Sequence, residues 1–202
     1  MEDGALILSL NEVAAIRSGH PFRGPVESVE GGSVSVVQMK DIHTGNRIDW
    51  SATVRTELVG RKEPDWLKQG DLLFVSRGSR YHAVHVDQPP PRAVCGAHLF
   101  HLSVRDPGLV LPAFLAWQIG QQPVQRQLQQ AASGSNQLSV AKTALEALVI
   151  SVPSMRTQRL LVDIAEAALR EKTVLTALIR NREQELDALA NALASGHSLN
   201  LT

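Results

Sequence analysis

The stretch PSMRTQRLLVDIAEAALREKTVLTALIRNREQELDALANALAS, Pro153 to Ser195, decides how the chain is read. No Pro or Gly falls between Ser154 and Gly196, so nothing inside it removes an intrahelical hydrogen bond, and the spacing predicts one uninterrupted helix. At 1.5 Å of rise per residue it is about 60 Å long, more than the diameter of a domain of roughly 150 residues. Part of it must find a partner. Leu161, Ala165, Ala168, Leu175, Ile179, Leu186, Leu189 and Leu193 follow steps of three and four, with Lys172 and Arg182 interrupting. Such a heptad-like seam buries itself against a second helix. Dimerisation through Leu161, Ala168, Leu175, Ile179, Leu186, Leu189 and Leu193 is therefore expected. A helix folded back on its own domain is the alternative that the length opposes.

With 202 residues the chain has room for one sizeable core and an extension. The expected division is a globular domain over 1–152, the helix over 153–195 and a short tail over 196–202. Twenty basic and 20 acidic residues cancel, so any contact with nucleic acid has to come from a local patch rather than from global charge. One cysteine, Cys95, excludes an internal disulfide framework. The N-terminal MEDGALILSL is acidic before its short apolar run, which is not a secretion signal, and no apolar stretch reaches the length of a membrane span. A cytoplasmic location is expected, with no membrane partner.

Ser9-Leu10-Asn11-Glu12 has the form of a capping box ahead of Val13, Ala14 and Ile16, and predicts a short helix ending at Gly19. Val34 to Met39 reads as a strand, followed by a turn through Lys40 to Asn46 towards Ile48 and Trp50. Gly70-Asp71 turns the chain into a strand at Leu72 to Val75, which runs into the polar loop Ser76 to Arg80. Further strands are expected at Tyr81 to Val86 and Ala97 to Leu102. From Pro112 the pattern becomes helical, with Pro123 splitting the segment. Ser133 to Gln137 is a polar loop, Ser139 opens a short helix to about Glu146, and Leu148 to Val152 is an apolar strand leading into the long helix. The fold class is α+β: a globular domain without regular strand-helix alternation, followed by a long C-terminal coiled-coil helix.

Several segments, in this order, resemble the specificity (S) subunit of type I restriction-modification systems: LNEVAAIRSG, VVQMKDIHTGNRIDW, LKQGDLLFVSRGS, LPAFLAWQIGQQPVQRQLQQAASGSNQLSVAKTALEALVISVP, and Gln158 inside the long helix. Singly each is unspecific; the ordered array covers almost all of the chain. The resemblance implies a target-recognition domain followed by a spacer helix. Members of that family carry two of each, the helices packing antiparallel, so this chain is similar to half an S subunit. It also implies that the chain has no catalytic activity and directs a DNA methyltransferase subunit and a restriction (nuclease and translocase) subunit to double-stranded DNA. Two identical halves imply a homodimer and an interrupted palindromic target. Thr157 departs from the family pattern, standing where an acidic residue precedes the glutamine.

No enzyme signature is present: no phosphate loop of the Gly-x-x-x-x-Gly-Lys-Ser/Thr type, no Asn-Pro-Pro-aromatic tetrapeptide and no His-Glu-x-x-His. Ser79 with His82 and His85 has no spacing that supports a catalytic triad. His82, His85, Cys95, His98 and His101 lie within 20 residues, but strand residues three apart point to opposite faces, which speaks against a metal site. No metal and no cofactor are expected, and Cys95 reads as a small buried hydrophobe.

Reading DNA needs side chains that reach base edges and cations near phosphates. Arg77, Ser79, Arg80, Tyr81 and His82 form the first candidate cluster, with guanidinium groups for guanine or phosphate and Tyr81 to stack or hydrogen-bond. Gln38, Lys40, His43, Asn46 and Arg47 form the second. Ser133, Ser135, Asn136 and Gln137 with Arg126 make a third. For any single residue, a solvated side chain or turn former is the competing reading. A coiled-coil adaptor that binds protein without sequence-specific DNA contact is the competing function, and an enzyme of DNA defence is disfavoured by the missing motifs.

Overall fold

The computed structural model describes residues 4–43, 47–58, 63–78, 81–132 and 139–195. It divides into two units, Met1–Val162 and Asp163–Thr202.

Strand β1 (Leu6–Ser9) runs into a single helical turn, α1 (Leu10–Val13). Its opening follows the sequence: the Ser9 N–H and hydroxyl both donate to the Glu12 carboxylate at 2.6 Å. The helix does not continue to Gly19. Ala14 leaves helical geometry, and Ala14–Ser18 is strand β2, paired antiparallel with Phe100–Val104. The apolar positions Ala14 and Ile16 are buried while Arg17 is exposed, so a long-range pairing partner overrides a helix-compatible local sequence.

Next come β3 (Val34–Val37), a 3-10 turn over Met39–Asp41, the short β4 (Ile42–His43) and β5 (Arg47–Ile48), and β6 (Val54–Thr56). Then follow β7 (Leu72–Val75), β8 (His82–His85), β9 (Ala93–Cys95) and β10 (Leu99–Val104). Helices α2 (Pro112–Ile119) and α3 (Gln122–Ala131) are divided ahead of Pro123, as the sequence predicts, each with Pro in its first turn. The short α4 (Lys142–Glu146) and β11 (Val149–Val152) lead into α5 (Met155–Ala194).

One antiparallel sheet, in the order β2-β10-β7-β8, divides the domain into layers. All four residues of β7 are buried, and their alternation assigns the layers: Leu72 and Phe74 pack with α2, α3 and α4, whereas Leu73 and Val75 pack with Val37, Ala93 and Cys95 of the second sheet. That second sheet has the order β6-β3-β9, with β3 and β9 parallel. The helix side thus holds the larger core, and the opposite face of the four-stranded sheet is left for polar groups at its β2 edge.

Strands β1 and β11 pair antiparallel as a separate ribbon. Side-chain amides occupy the backbone of β11: Gln127 both accepts from the Val149 N–H at 2.9 Å and donates to its carbonyl at 3.0 Å, and Gln118 donates to the Ser151 carbonyl at 2.7 Å. These bonds satisfy groups that an open strand edge would leave for another chain.

The start of α5 belongs to the domain. Gln158 is fully buried; its Oε1 accepts from the Leu111 N–H at 2.9 Å, and its Nε2 donates to the Leu109 and Pro153 carbonyls at 2.8 and 2.9 Å. Leu161 and Val162 pack against the helix-side core, so the compact unit reaches Val162 rather than ending at 152. From Asp163 to Ala194 the helix continues, and Ile164, Leu175, Ile179, Leu186 and Leu193 on it are exposed. Among the described residues no helix is long and apolar enough to cross a membrane.

Candidate nucleic-acid interface

The second cluster is built on the β4-β5 hairpin. Ile42 and Ile48 face each other in register and pack, with Met39 and Trp50, onto the core between the sheets. Trp50 also donates its indole N–H to the Asp87 carbonyl at 2.8 Å. This anchoring leaves Lys40 and Arg47 exposed. Gln38 is half-buried at the start of the 3-10 turn, where its N–H donates to Asp41 Oδ2 at 2.8 Å. The side chain of His43, and Asn46, lie outside the described residues.

In the first cluster Arg77 follows β7 and bridges antiparallel to Ser139, supported by the Val140 N–H donating to the Ser76 carbonyl at 3.0 Å. Gly78 has φ +117°, a conformation that a side chain would strain, and so turns the chain there. Ser79 and Arg80 lie outside the described residues. Tyr81 is corrected by the structure: it is 3 % exposed and stacks on Phe74 with ring centroids 6.4 Å apart, inside the helix-side core. It packs there instead of facing DNA, because a phenol ring one residue ahead of β8 falls beside the sheet's largest buried aromatic. His82 is half-buried in β8. Of the third cluster Arg126 is exposed on α3, while Ser133, Ser135, Asn136 and Gln137 lie outside the described residues.

A cleft of about 1160 Å³ sits elsewhere on the domain, and no motif announced it. Its wall is the end of β2 and the loop after it, which passes so close to β9 that a Cβ on Gly19 would lie 2.0 Å from the Gly96 carbonyl oxygen. Only glycine allows that approach. Residues Glu63 to Trp66 form another wall, and Val94, Cys95 and His101 line the interior.

His101 stands on the polar face of β10, in register with Arg17 of β2 and Leu73 of β7. Its Nε2 lies 2.7 Å from Asp71 Oδ2, and Ser103 Oγ is 3.4 Å from the same nitrogen. Burial on its own would raise the pKa of Asp71, but hydrogen bonds from His101 and the Lys68 N–H, with the nearby imidazole charge, together hold it below the ordinary carboxylate value. The ionised Asp71 places the proton on Nε2, and Nδ1 is buried with no partner among the described residues. Arg17 continues the network: it donates through Nη1 to Ser103 Oγ at 3.3 Å and its Nε pairs with Asp65 at 3.2 Å. Burial pushes the Cys95 thiol up to about 12, which makes it unreactive near neutrality.

No protein-family model and no curated protein sequence matches the chain. Solved structures do. The S subunit of the type I restriction-modification system from M. genitalium superposes on 96 % of this chain with TM-score 0.60 at 14 % identity. The HsdS subunit from Thermoanaerobacter tengcongensis matches 96 % with TM-score 0.61 at 20 % identity.

The fold is that of a type I S subunit.

A chain of a type I R-M system, solved for its complex assembly and conformational transition, matches 96 % with TM-score 0.60 at 19 % identity. The chain spans less than half the length of these proteins, 46, 45 and 44 % respectively. The S-subunit fold present here is thus one globular domain with one long helix, and the hairpin, the Arg77 segment and the cleft are three polar surfaces that the domain offers.

Proposed function

We propose that the chain is the DNA-sequence specificity subunit of a type I-like restriction-modification system. It works as a homodimer and recruits methyltransferase and restriction subunits. The observation that carries this reading is the fold shared with solved type I S subunits across 96 % of the chain. A twofold dimer through the exposed seam of the helix sets two such domains on one DNA. Such a pair reads the same short word on opposite strands, so the target is an interrupted palindrome.

The helix supports the pairing. Leu175, Ile179, Leu186 and Leu193 are 51 to 65 % exposed, and Leu189 and Ala165 continue their line. Leu161 is excepted from this interface, since the domain's own core covers part of it. Ile164, Val174 and Leu178 form an adjacent exposed stripe. One seam serves the second copy, and the neighbouring stripe offers an apolar face to a recruited subunit.

The absence of net charge favours one competing reading, a protein-binding coiled-coil adaptor. A salt titration separates the two. A domain that neutralises several phosphates loses DNA affinity steeply between low and moderate salt, with a slope near 0.9 per phosphate, about 4 to 5 for five contacts. An adaptor shows no specific DNA binding at any salt concentration.

A further inference from the structure

The chain as a whole carries no net charge, but its charge is not evenly spread. Arg17, Arg23, Arg92 and Lys142 line the cleft against only two carboxylates, Glu63 and Asp65. The four cations are not equivalent. Arg17 is held by Asp65 and Ser103, and Lys142 pairs with Glu146 at 3.2 Å. Arg92 lies over the Trp66 ring, 5.2 Å from its centroid, which fixes the guanidinium plane, and its charge also reaches the exposed Glu57 carboxylate, helping to lower that group's pKa. Arg23 is exposed and has no partner among the described residues.

Shape narrows the ligand. A concave cleft cannot enter a DNA groove, where base edges are read; what fits a concavity is the convex ridge of one sugar–phosphate strand. Phe22, set edge-on to His20 at 4.8 Å between ring centroids, and Trp66 add apolar surface for sugar rings.

Resting on the reading of the chain as a DNA-specificity subunit, we infer that this cleft seats one sugar–phosphate strand of the target, with Arg23 and Arg92 as its principal phosphate ligands. The hairpin and the Arg77 segment are then left to reach bases. Asp65 has a distinct part: it positions Arg17 and sets a carboxylate beside the strand, which lowers affinity for any DNA irrespective of sequence.

The test uses the full-length chain and measures binding to a DNA containing its selected target and to a scrambled duplex, across a range of salt. Arg23→Ala with Arg92→Ala should weaken both duplexes about tenfold or more at low salt and reduce the salt slope by about 2, leaving the preference between them unchanged. Asp65→Asn should change binding in the opposite direction, strengthening both duplexes about threefold and leaving the preference between them unchanged. A loss of folding cannot produce that gain. Unchanged affinity and slope in the double variant, or a loss confined to the selected target, overturns the cleft assignment while the specificity-subunit reading stands. Weaker or unchanged binding by Asp65→Asn overturns the role given to that carboxylate. Failure of the unmodified chain to bind any DNA overturns both the reading and the cleft assignment.

Discussion

Strand β7 and the distal part of α5 are both rich in large apolar residues, but they meet opposite fates. Leu72, Leu73, Phe74 and Val75 are all at most 4 % exposed, covered by helices on one face and a second sheet on the other. Leu175, Ile179, Leu186 and Leu193 are each more than half exposed. The domain covers its own hydrophobic surface, whereas the helix leaves such surface exposed. Stability of the globular domain and pairing of the helix are therefore expected to be separable properties of one chain, and substitutions should affect one without the other.

The largest separation should come from the helix. Replacing Leu175, Ile179 and Leu186 with charged residues removes about 1.5 to 3 kcal/mol of burial per side chain in each copy, enough to turn a micromolar dimer into a monomer. Sedimentation should show the monomer while circular dichroism and the thermal transition of the domain persist. A dimer that survives the triple substitution breaks the comparison.

Gln158 lies where the two behaviours meet. Gln158→Leu leaves the Leu109 and Pro153 carbonyls and the Leu111 N–H without their partner, at a cost of about 1 to 3 kcal/mol for a buried group left unpaired. The melting temperature of the domain should fall by several degrees with the dimer constant of the folded protein little changed. An unaltered transition would show that the amide is dispensable to the domain.

The smallest effect belongs to Asp71. Its pKa in the folded chain is depressed, so the stability it contributes is fully present above the unfolded value of about 3.9 and is lost as pH falls through the lower, folded one. Asp71→Asn should destabilise the domain at pH 7 by about 1 to 3 kcal/mol, with the gap to the unmodified protein closing in that acid range. A gap that persists unchanged in acid would assign the effect to packing rather than to charge.

Features fixed by local chemistry are legible in the order of the residues alone. The long helix follows from 40 positions without Pro or Gly, β7 from its apolar run after Gly70-Asp71, and the break between α2 and α3 from Pro123. Features fixed by distant partners are not. Ala14–Ser18 has residues that suit a helix, and only its pairing with β10 makes it a strand. The three-residue strands β6 and β9 are too short to show a period. Tyr81 has a polar tip that suits DNA, and its burial depends on Phe74 beside it. The cleft is hidden from sequence reading for the same reason: Arg17, Asp65 and Arg92 are far apart along the chain and meet only because β2, β10 and β9 bring their segments together.

The central claim is that one domain and one helix, doubled by symmetry, read DNA. It is tested most directly by selecting binding sites for the full-length chain alone from random duplex DNA. The account predicts an inverted repeat of one short word, its halves separated by a few unread base pairs and centred roughly one to one and a half turns apart, at about 34 to 36 Å per turn. A single continuous asymmetric word, or no enrichment, would contradict it.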